Sequence, residues 1–229
     1  MGTRVTYQLE DSIATITMDD GKVNAMSLHM LAEINAALDR ALADRAVVVL
    51  SGRNGVFSAG FDLPVLRAGG SESIAMVRGG FELAQRVLSF PMPVVIACTG
   101  HAVAMGVFLL LSGDYRVGAA GSYKLTANEV AIGLTMPHAA VEVLRQRLAP
   151  AYFNRAVTIA EAFSPDNAVA AGFLDRVVSV SELQDVARAT AVAMATLDMA
   201  AHAASKLRAR QPALHAIRAG IDADFAAFQ

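Results

Sequence analysis

The sequence predicts an α/β protein built from repeated strand–strand–helix turns and completed by a helical C-terminal region. Three observations lead there. Short runs with alternating or wholly apolar character recur along the chain with helical-period stretches between them. Glycine-bearing junctions separate the two kinds of segment. From about residue 139 onward, helical spacing dominates. Such alternation argues for stacked sheets covered by helices, while periodicity alone leaves open how the sheets stack.

The elements follow in order. Val5, Tyr7 and Leu9 alternate with polar neighbours, Glu10, Asp11 and Ser12 signal a turn, and Ile13, Thr15 and Thr17 continue as a second extended run, so a β-hairpin is expected. From Ser27, a candidate N-cap, the apolar period changes: Met30, Leu31, Ile34, Leu38 and Leu42 fall on one helical face. Residues 47–50 form a short apolar strand, 51–60 a Gly-rich loop, and a helix is expected from Pro64. A helix over 74–88 leads to a strand at 94–97, a turn at 99–101, a buried helix through 109–111 and a strand at 115–117. Helices over 139–148 and 151–160, a strand-like 175–180 and two final helices ending near Phe228 complete the chain. With 229 residues and no linker or low-complexity tract, a single domain is expected, residues 1–172 as core and 173–229 as the helical region.

Composition narrows the function classes. A net charge of −2 gives no basic footprint, so affinity for nucleic acid through phosphate neutralisation is not expected. Hydrophobic residues make up 55%, a fraction inflated by alanine, which suggests subunit interfaces rather than lipid. The stretch 94–112 lacks Asp, Glu, Lys and Arg and approaches the length of a membrane span. Gly100 and His101 divide it, however, so strand, turn and buried helix explain it without a span. Residues 1–10 carry no positive segment followed by an apolar run, and a cytoplasmic location is expected. Cys98 is the one cysteine, which excludes an intrachain disulfide and a cysteine metal cluster and reads as a small buried hydrophobe. No phosphate-cradling loop, dinucleotide fingerprint, nucleophile elbow or zinc-type His pair is present, so neither a metal nor a bound cofactor is expected.

Two junctions carry the chemistry. Residues 55–63, Gly-Val-Phe-Ser-Ala-Gly-Phe-Asp-Leu, follow a buried strand and precede a helix. Such a junction offers free backbone N–H groups and the positive end of a helix dipole, which suit a developing oxyanion; the Phe61 N–H is the candidate donor. The plain alternative is a strand-to-helix turn that uses Gly55 and Gly60 for unusual dihedrals. Residues 99–106 form a second junction of the same type.

These segments resemble, in order and spacing, the crotonase or enoyl-CoA hydratase/isomerase superfamily over nearly the whole chain. The Lys22-Val23-Asn24-Ala25-Met26-Ser27 segment is similar to its N-terminal Asn-Ala motif, 56–63 to its Phe-Ser-Ala-Gly-x-Asp-Leu loop, and 99–114 to its second Gly-rich loop and helix. The resemblance implies a crotonase-like (ClpP/crotonase) spiral of ββα turns whose helical C-terminal region builds homotrimers or dimers of trimers. It also implies an acyl-CoA thioester as substrate rather than as a bound cofactor, its oxygen clasped by the amides of Phe61 and Met105. Ala59, Gly60, Asp62, Leu63, Gly106 and Phe108 would surround the substrate, with Lys22 and Lys206 as cationic contacts for the CoA phosphates. One departure is Ala104-Met105-Gly106 where many members carry three glycines, so the Met105 side chain needs room.

Hydratases of the superfamily use two glutamates, and the first position aligns with Phe108, which cannot transfer a proton. The second aligns with Glu129, in a segment resembling the Asn-Glu segment of mitochondrial Δ3,Δ2-enoyl-CoA isomerases; Asp114-Tyr115-Arg116 resembles them too. A lone carboxylate can remove a proton from C2 and return it at C4. Its neighbours Val130, Ile132 and Leu134 are expected to desolvate Glu129 and raise its pKa. Isomerisation of a 3-enoyl-CoA is therefore the leading reading. The others are hydration of a 2-enoyl-CoA, acyl-CoA binding without turnover, and a Clp-type protease, for which Ser112 and His138 are a weak pair. His101 and His138 read as structural.

Overall fold

The computed structural model describes residues 2–226. An antiparallel hairpin, β1 (Val5–Glu10) and β2 (Ile13–Met18), turns at Asp11 and Ser12, both with positive φ. Helix α1 (Leu28–Ala43) follows, its N-terminus closed by the Ser27 hydroxyl, which accepts the Met30 N–H.

Three further turns of the chain share one plan. The first is β3 (Val47–Ser51), β4 (Gly55–Ser58), α2 (Leu63–Ala68) and α3 (Gly70–Leu88). The second is β5 (Val94–Cys98), β6 (Gly100–Val103) and α4 (Met105–Leu111). The third is β7 (Tyr115–Ala119), β8 (Leu125–Thr126), a 3-10 turn (Val130–Ile132) and α5 (His138–Arg145). In every turn the first strand joins a six-stranded sheet, ordered β1-β2-β3-β5-β7-β9, and the second joins a three-stranded sheet, ordered β4-β6-β8. Apart from the hairpin, all pairs are parallel. This is the crotonase spiral. After α6 (Pro150–Ile159) and α7 (Pro165–Ala171), β9 (Arg176–Val178) closes the large sheet, and α8 (Leu183–Ala195) and α9 (Met199–Asp224) end the described chain.

The apolar runs of β3 and β5 are buried at every position, as strands covered on both faces require. Alternate side chains divide between two cores. Ile16, Val48, Leu50 and Ile96 face the main core, while Ile13, Val47, Val49 and Val95 meet Leu183, Ala187 and Ala191 of α8 on the other side.

Two expected loops are strands. Residues 51–60 contain β4, and Gly100 and His101 lie in β6 rather than in a turn. The glycine read as a turn signal serves close packing of strands: a Cβ on Gly100 would lie 2.1 Å from the Gly55 carbonyl oxygen. Helix α7 and strand β8 were not expected from the pattern. The expected helix end near Phe228 lies outside the described residues. The apolar stretch 94–112 resolves into β5, β6 and α4, and among the described residues no helix is long and apolar enough to cross a membrane. Cys98 is buried, and burial pushes its thiol up to about 12.

Helix α9 is tied to the body at two places. Asp114 receives Lys206 Nζ at 2.6 Å and Arg210 at 2.9 Å, and also accepts the Val94 N–H that starts β5. Near the other end, the Asp224 carboxylate accepts the N–H groups of His138 and Ala139 and so caps α5 from a distant part of the chain.

Candidate active site

The first junction is held by side chains. Asn24, buried and left-handed at φ 52°, donates to the carbonyls of Met18 (3.0 Å) and Phe57 (3.1 Å) and accepts the Asp20 N–H. Ser58 Oγ donates to the Asn24 carbonyl at 2.7 Å and accepts the Gly60 N–H, and Met26 N–H reaches the Gly60 carbonyl at 2.8 Å. The Asn-Ala motif is thus the brace of the Phe61 loop. Beyond it, the Asp62 side chain caps α2, a helix with no buried residue.

The second junction is held by burial. Every residue of α4 is buried and no side chain caps it; instead Ala104 enters the helix at φ 49°, ψ −122°, a conformation strained for any residue but glycine. The two junctions abut. A Cβ on Gly60 would lie 2.9 Å from Ala104 Cβ and 3.4 Å from the Met105 nitrogen, and one on Gly106 would lie 2.3 Å from the Ser58 carbonyl oxygen. Among the described residues, neither the Phe61 nor the Met105 N–H has an acceptor within the chain. Two free amides on touching loops are what an oxyanion site requires.

The room that Met105 needs is supplied by α3. Met105 is fully buried, and its sulfur lies against Gly80, where an added Cβ would be 3.1 Å away.

Glu129 follows β8 and opens the 3-10 turn, with its carbonyl accepting the N–H of Ile132 and Leu134. Its side chain is buried, Oε2 has no partner within the chain, and burial lifts the carboxyl to about 7 against a smaller opposing effect of its own N–H. The source of that desolvation is wider than the expectation. Of the expected neighbours, Ile132 and Leu134 line the same cavity as the carboxylate although they are 51% and 44% exposed, while Val130, 42% exposed, is not part of its wall. That cavity, of about 350 Å³, is walled as well by Phe61, Leu66, Val77, Phe81 and Pro137. A larger open groove of about 530 Å³ beside α8 holds neither a carboxylate nor a junction amide.

The structure brings Ala59, Phe61, Leu63 and Glu129 together on this cavity. Gly60, Asp62, Met105 and Gly106 are not among the lining residues, although Ala104, next to Met105, is. Phe108, expected beside the substrate, is buried with its ring 5.8 Å from that of Phe81, and it is Phe81 that faces the cavity. Lys22 is exposed, its backbone N–H fixed by Asp20. Lys206 is not presented to a ligand: it is 7% exposed, and its ammonium is engaged by Asp114 and the Met92 carbonyl. The expected phosphate contact there is replaced by a bond holding α9 in place. Ser112, with its hydroxyl on the Phe108 carbonyl, and the exposed His138, on Asp224, have separate partners and form no dyad.

Sequence reasoning missed Phe81, Val77, Arg67, Asn128, Thr135 and Pro137 on the cavity wall. Phe81 and Val77 carry only the signature of an ordinary buried helix face. Asn128, adjoining Glu129, was the one of the six with a local cue.

The family model described as enoyl-CoA hydratase/isomerase matches residues 8–229. The probable enoyl-CoA hydratase echA17 of Mycobacterium avium is 30% identical over 216 residues, covering 93% of this chain and 79% of that protein. A Mycobacterium tuberculosis structure described as probable enoyl-CoA hydratase EchA3 superposes with a TM-score of 0.96 at 50% identity, over 99% of this chain and 96% of that one. An apo structure of the same locus, described as an enoyl-CoA isomerase, gives 0.94 at 50% identity over 97% and 98%. The human mitochondrial Δ3-Δ2-enoyl-CoA isomerase gives 0.92 at 26% identity over 99% and 90%. The spiral agrees with these matches, and the chain belongs to the enoyl-CoA hydratase/isomerase family, the crotonase superfamily of enzymes acting on CoA thioesters.

Proposed function

We propose that the enzyme converts a 3-enoyl-CoA to the 2-enoyl-CoA, with Glu129 as its one proton carrier. The observation that carries this reading is that, among the described residues, Glu129 is the sole carboxylate on the cavity wall, while Phe108 stands in the core behind Phe81. The name of the Mycobacterium tuberculosis isomerase, at 50% identity, supports it.

In the proposed cycle the thioester oxygen accepts hydrogen bonds from the Phe61 and Met105 amides. The ionised Glu129 takes a proton from C2, the C2 electron pair delocalises into the thioester as an enolate, and the protonated Glu129 delivers the proton at C4 as the enolate collapses. One proton leaves and one returns, so no water is consumed. Oxyanion donors are worth about 10² to 10³ in rate each, and general acid–base transfer about 10² to 10⁴. A carboxyl near pH 7 suits both halves of the cycle, since it is a stronger base than a solvated carboxylate and yet ionises at neutral pH. Exposed Lys22 is proposed to meet CoA phosphates, and exposed apolar residues such as Ile159 and Leu197 support assembly as a homotrimer or dimer of trimers.

Glu129→Gln is expected to lower kcat for a 3-enoyl-CoA by about 10³-fold or more. For the native enzyme kcat/KM should fall about tenfold per unit below a pH near 7, where Glu129 becomes protonated. A variant rate equal to the native rate would sink the assignment. Hydration, favoured by the name of the echA17 relative, predicts incorporation of solvent oxygen into product from a 2-enoyl-CoA, and tight binding without either reaction would identify an acyl-CoA-binding protein.

A further inference from the structure

Gly80 lies in the middle of α3, buried, away from any turn and on no motif. A glycine inside a helix weakens it relative to alanine, so its presence in a long regular helix calls for a packing reason. The surroundings supply one. A Cβ at Gly80 would lie 2.5 Å from Phe61 Cε1, 2.6 Å from Phe61 Cζ and 3.1 Å from Met105 Sδ. Of all residues, it is the two with free junction amides whose side chains rest on this spot. The neighbouring Gly79 makes a clear contrast, since a Cβ there would meet only Leu31 Cδ1 at an ordinary 3.5 Å. Phe81, the next residue along, holds the Phe61 ring edge-on with centroids 6.3 Å apart and stacks on Phe108 of α4 at 5.8 Å, so α3 grips both junctions at one level.

We propose that Gly80 is a positioning residue for the oxyanion site: its bare Cα is the common seat of the Phe61 and Met105 side chains, and that seat sets the spacing of their two amides. The inference rests on the oxyanion roles proposed above. Its consequence is a matched set. Most positions of an oxyanion loop act through backbone alone, yet here two bulky side chains are anchored, so that the amides move only if their anchors move. A misplacement of about 1 Å at such a site can reduce turnover about 10²-fold.

The test uses acetoacetyl-CoA, a thioester whose enolate absorbs in the ultraviolet, so that bound enolate reports the oxyanion site without turnover. Steady-state isomerisation of a 3-enoyl-CoA is measured alongside. In Gly80→Ala the enolate signal and kcat are expected to fall about 10- to 100-fold with a much smaller change in KM. Gly79→Ala should retain both. Phe61→Leu removes the two ring atoms that an added Cβ would strike, so Gly80→Ala placed in that background should perform within about threefold of Phe61→Leu alone, a strong departure from additivity. If Gly80→Ala alone does not fold, the double variant decides: folded with its enolate signal recovered it supports the proposal, and unfolded it overturns it. Unchanged enolate binding in Gly80→Ala, or an equal loss in both backgrounds, also overturns it. A native enzyme that forms the enolate but does not isomerise refutes the proposed reaction and leaves this inference standing.

Discussion

The two strand-to-helix junctions look alike in the sequence and are built in opposite ways. The loop carrying Phe61 leads into an exposed helix and is held by Asn24, Ser58 and the capping Asp62. The loop carrying Met105 leads into a wholly buried helix with no cap, and its turn is made by a strained alanine. A loop that opens onto an exposed helix is tied by hydrogen bonds in addition to the packing of its Phe61 ring on Phe81. A loop in the core is fixed by packing, and that surplus of packing energy can hold Ala104 in a conformation that costs about 1 to 3 kcal/mol. Equivalent chemical groups can therefore depend on different kinds of force.

The contrast can be broken most severely at Asn24. Asn24→Ala removes bonds to Met18, Phe57 and Asp20 and places alanine at positive φ. A loss of about 3 to 4 kcal/mol in urea denaturation is expected, with reduced turnover because the Phe61 loop is the part released. Unchanged stability would mean that the rim junction does not rely on its ties.

Glu129 adjoins the core junction through β8 and gives a smaller effect with a definite pH window. Its folded-state pKa, about 7, is raised above the ordinary 4.5, so the folded chain binds more protons than the unfolded chain between those values and stability falls as pH rises through them. Glu129→Gln, which keeps the uncharged shape, is expected to be more stable than native by about 2 kcal/mol above pH 7 and equal to it below about pH 4. Parallel stability curves from pH 4 to 8 would refute this. The smallest change sharpens the comparison: Ala104→Gly relieves the strain but adds unfolded-chain entropy, for a net gain of about 1 kcal/mol measured by the denaturation midpoint. If burial fixes that junction, turnover should change less than threefold.

Much of the plan was legible from the order of apolar runs, because strands buried on both faces read plainly as Val-Val-Val-Leu and Val-Val-Ile-Ala. The small sheet was not. Its strands are two to four residues long and carry Gly55 and Gly100, which look like loop residues until the partner strand is in view. Glu129 is found by motif, and of its expected neighbours Ile132 and Leu134 do share its cavity, but Phe61, Leu66, Val77 and Phe81, which complete the wall, come from distant parts of the chain. Lys206 was misread for a related reason: its partner, Asp114, is far away in the chain. Phe81 and Gly80 had no signal at all, being ordinary positions on a helix until the loops pack against them.

The small sheet also works as a ruler. Strands β4, β6 and β8 run in parallel, and beyond their C-terminal ends come Phe61, Met105 and Glu129 in turn. Their lateral alignment, Ser58 with Ala102 and Val103 with Thr126, fixes how far along the cavity the carboxylate stands from the amides. Sliding β8 by one residue would carry Glu129 about 3.3 Å along the strand direction and reverse the faces of its side chains. On the proposed roles, the carbon that loses its proton is thus chosen by main-chain hydrogen bonds, and regiochemistry is a matter of strand register.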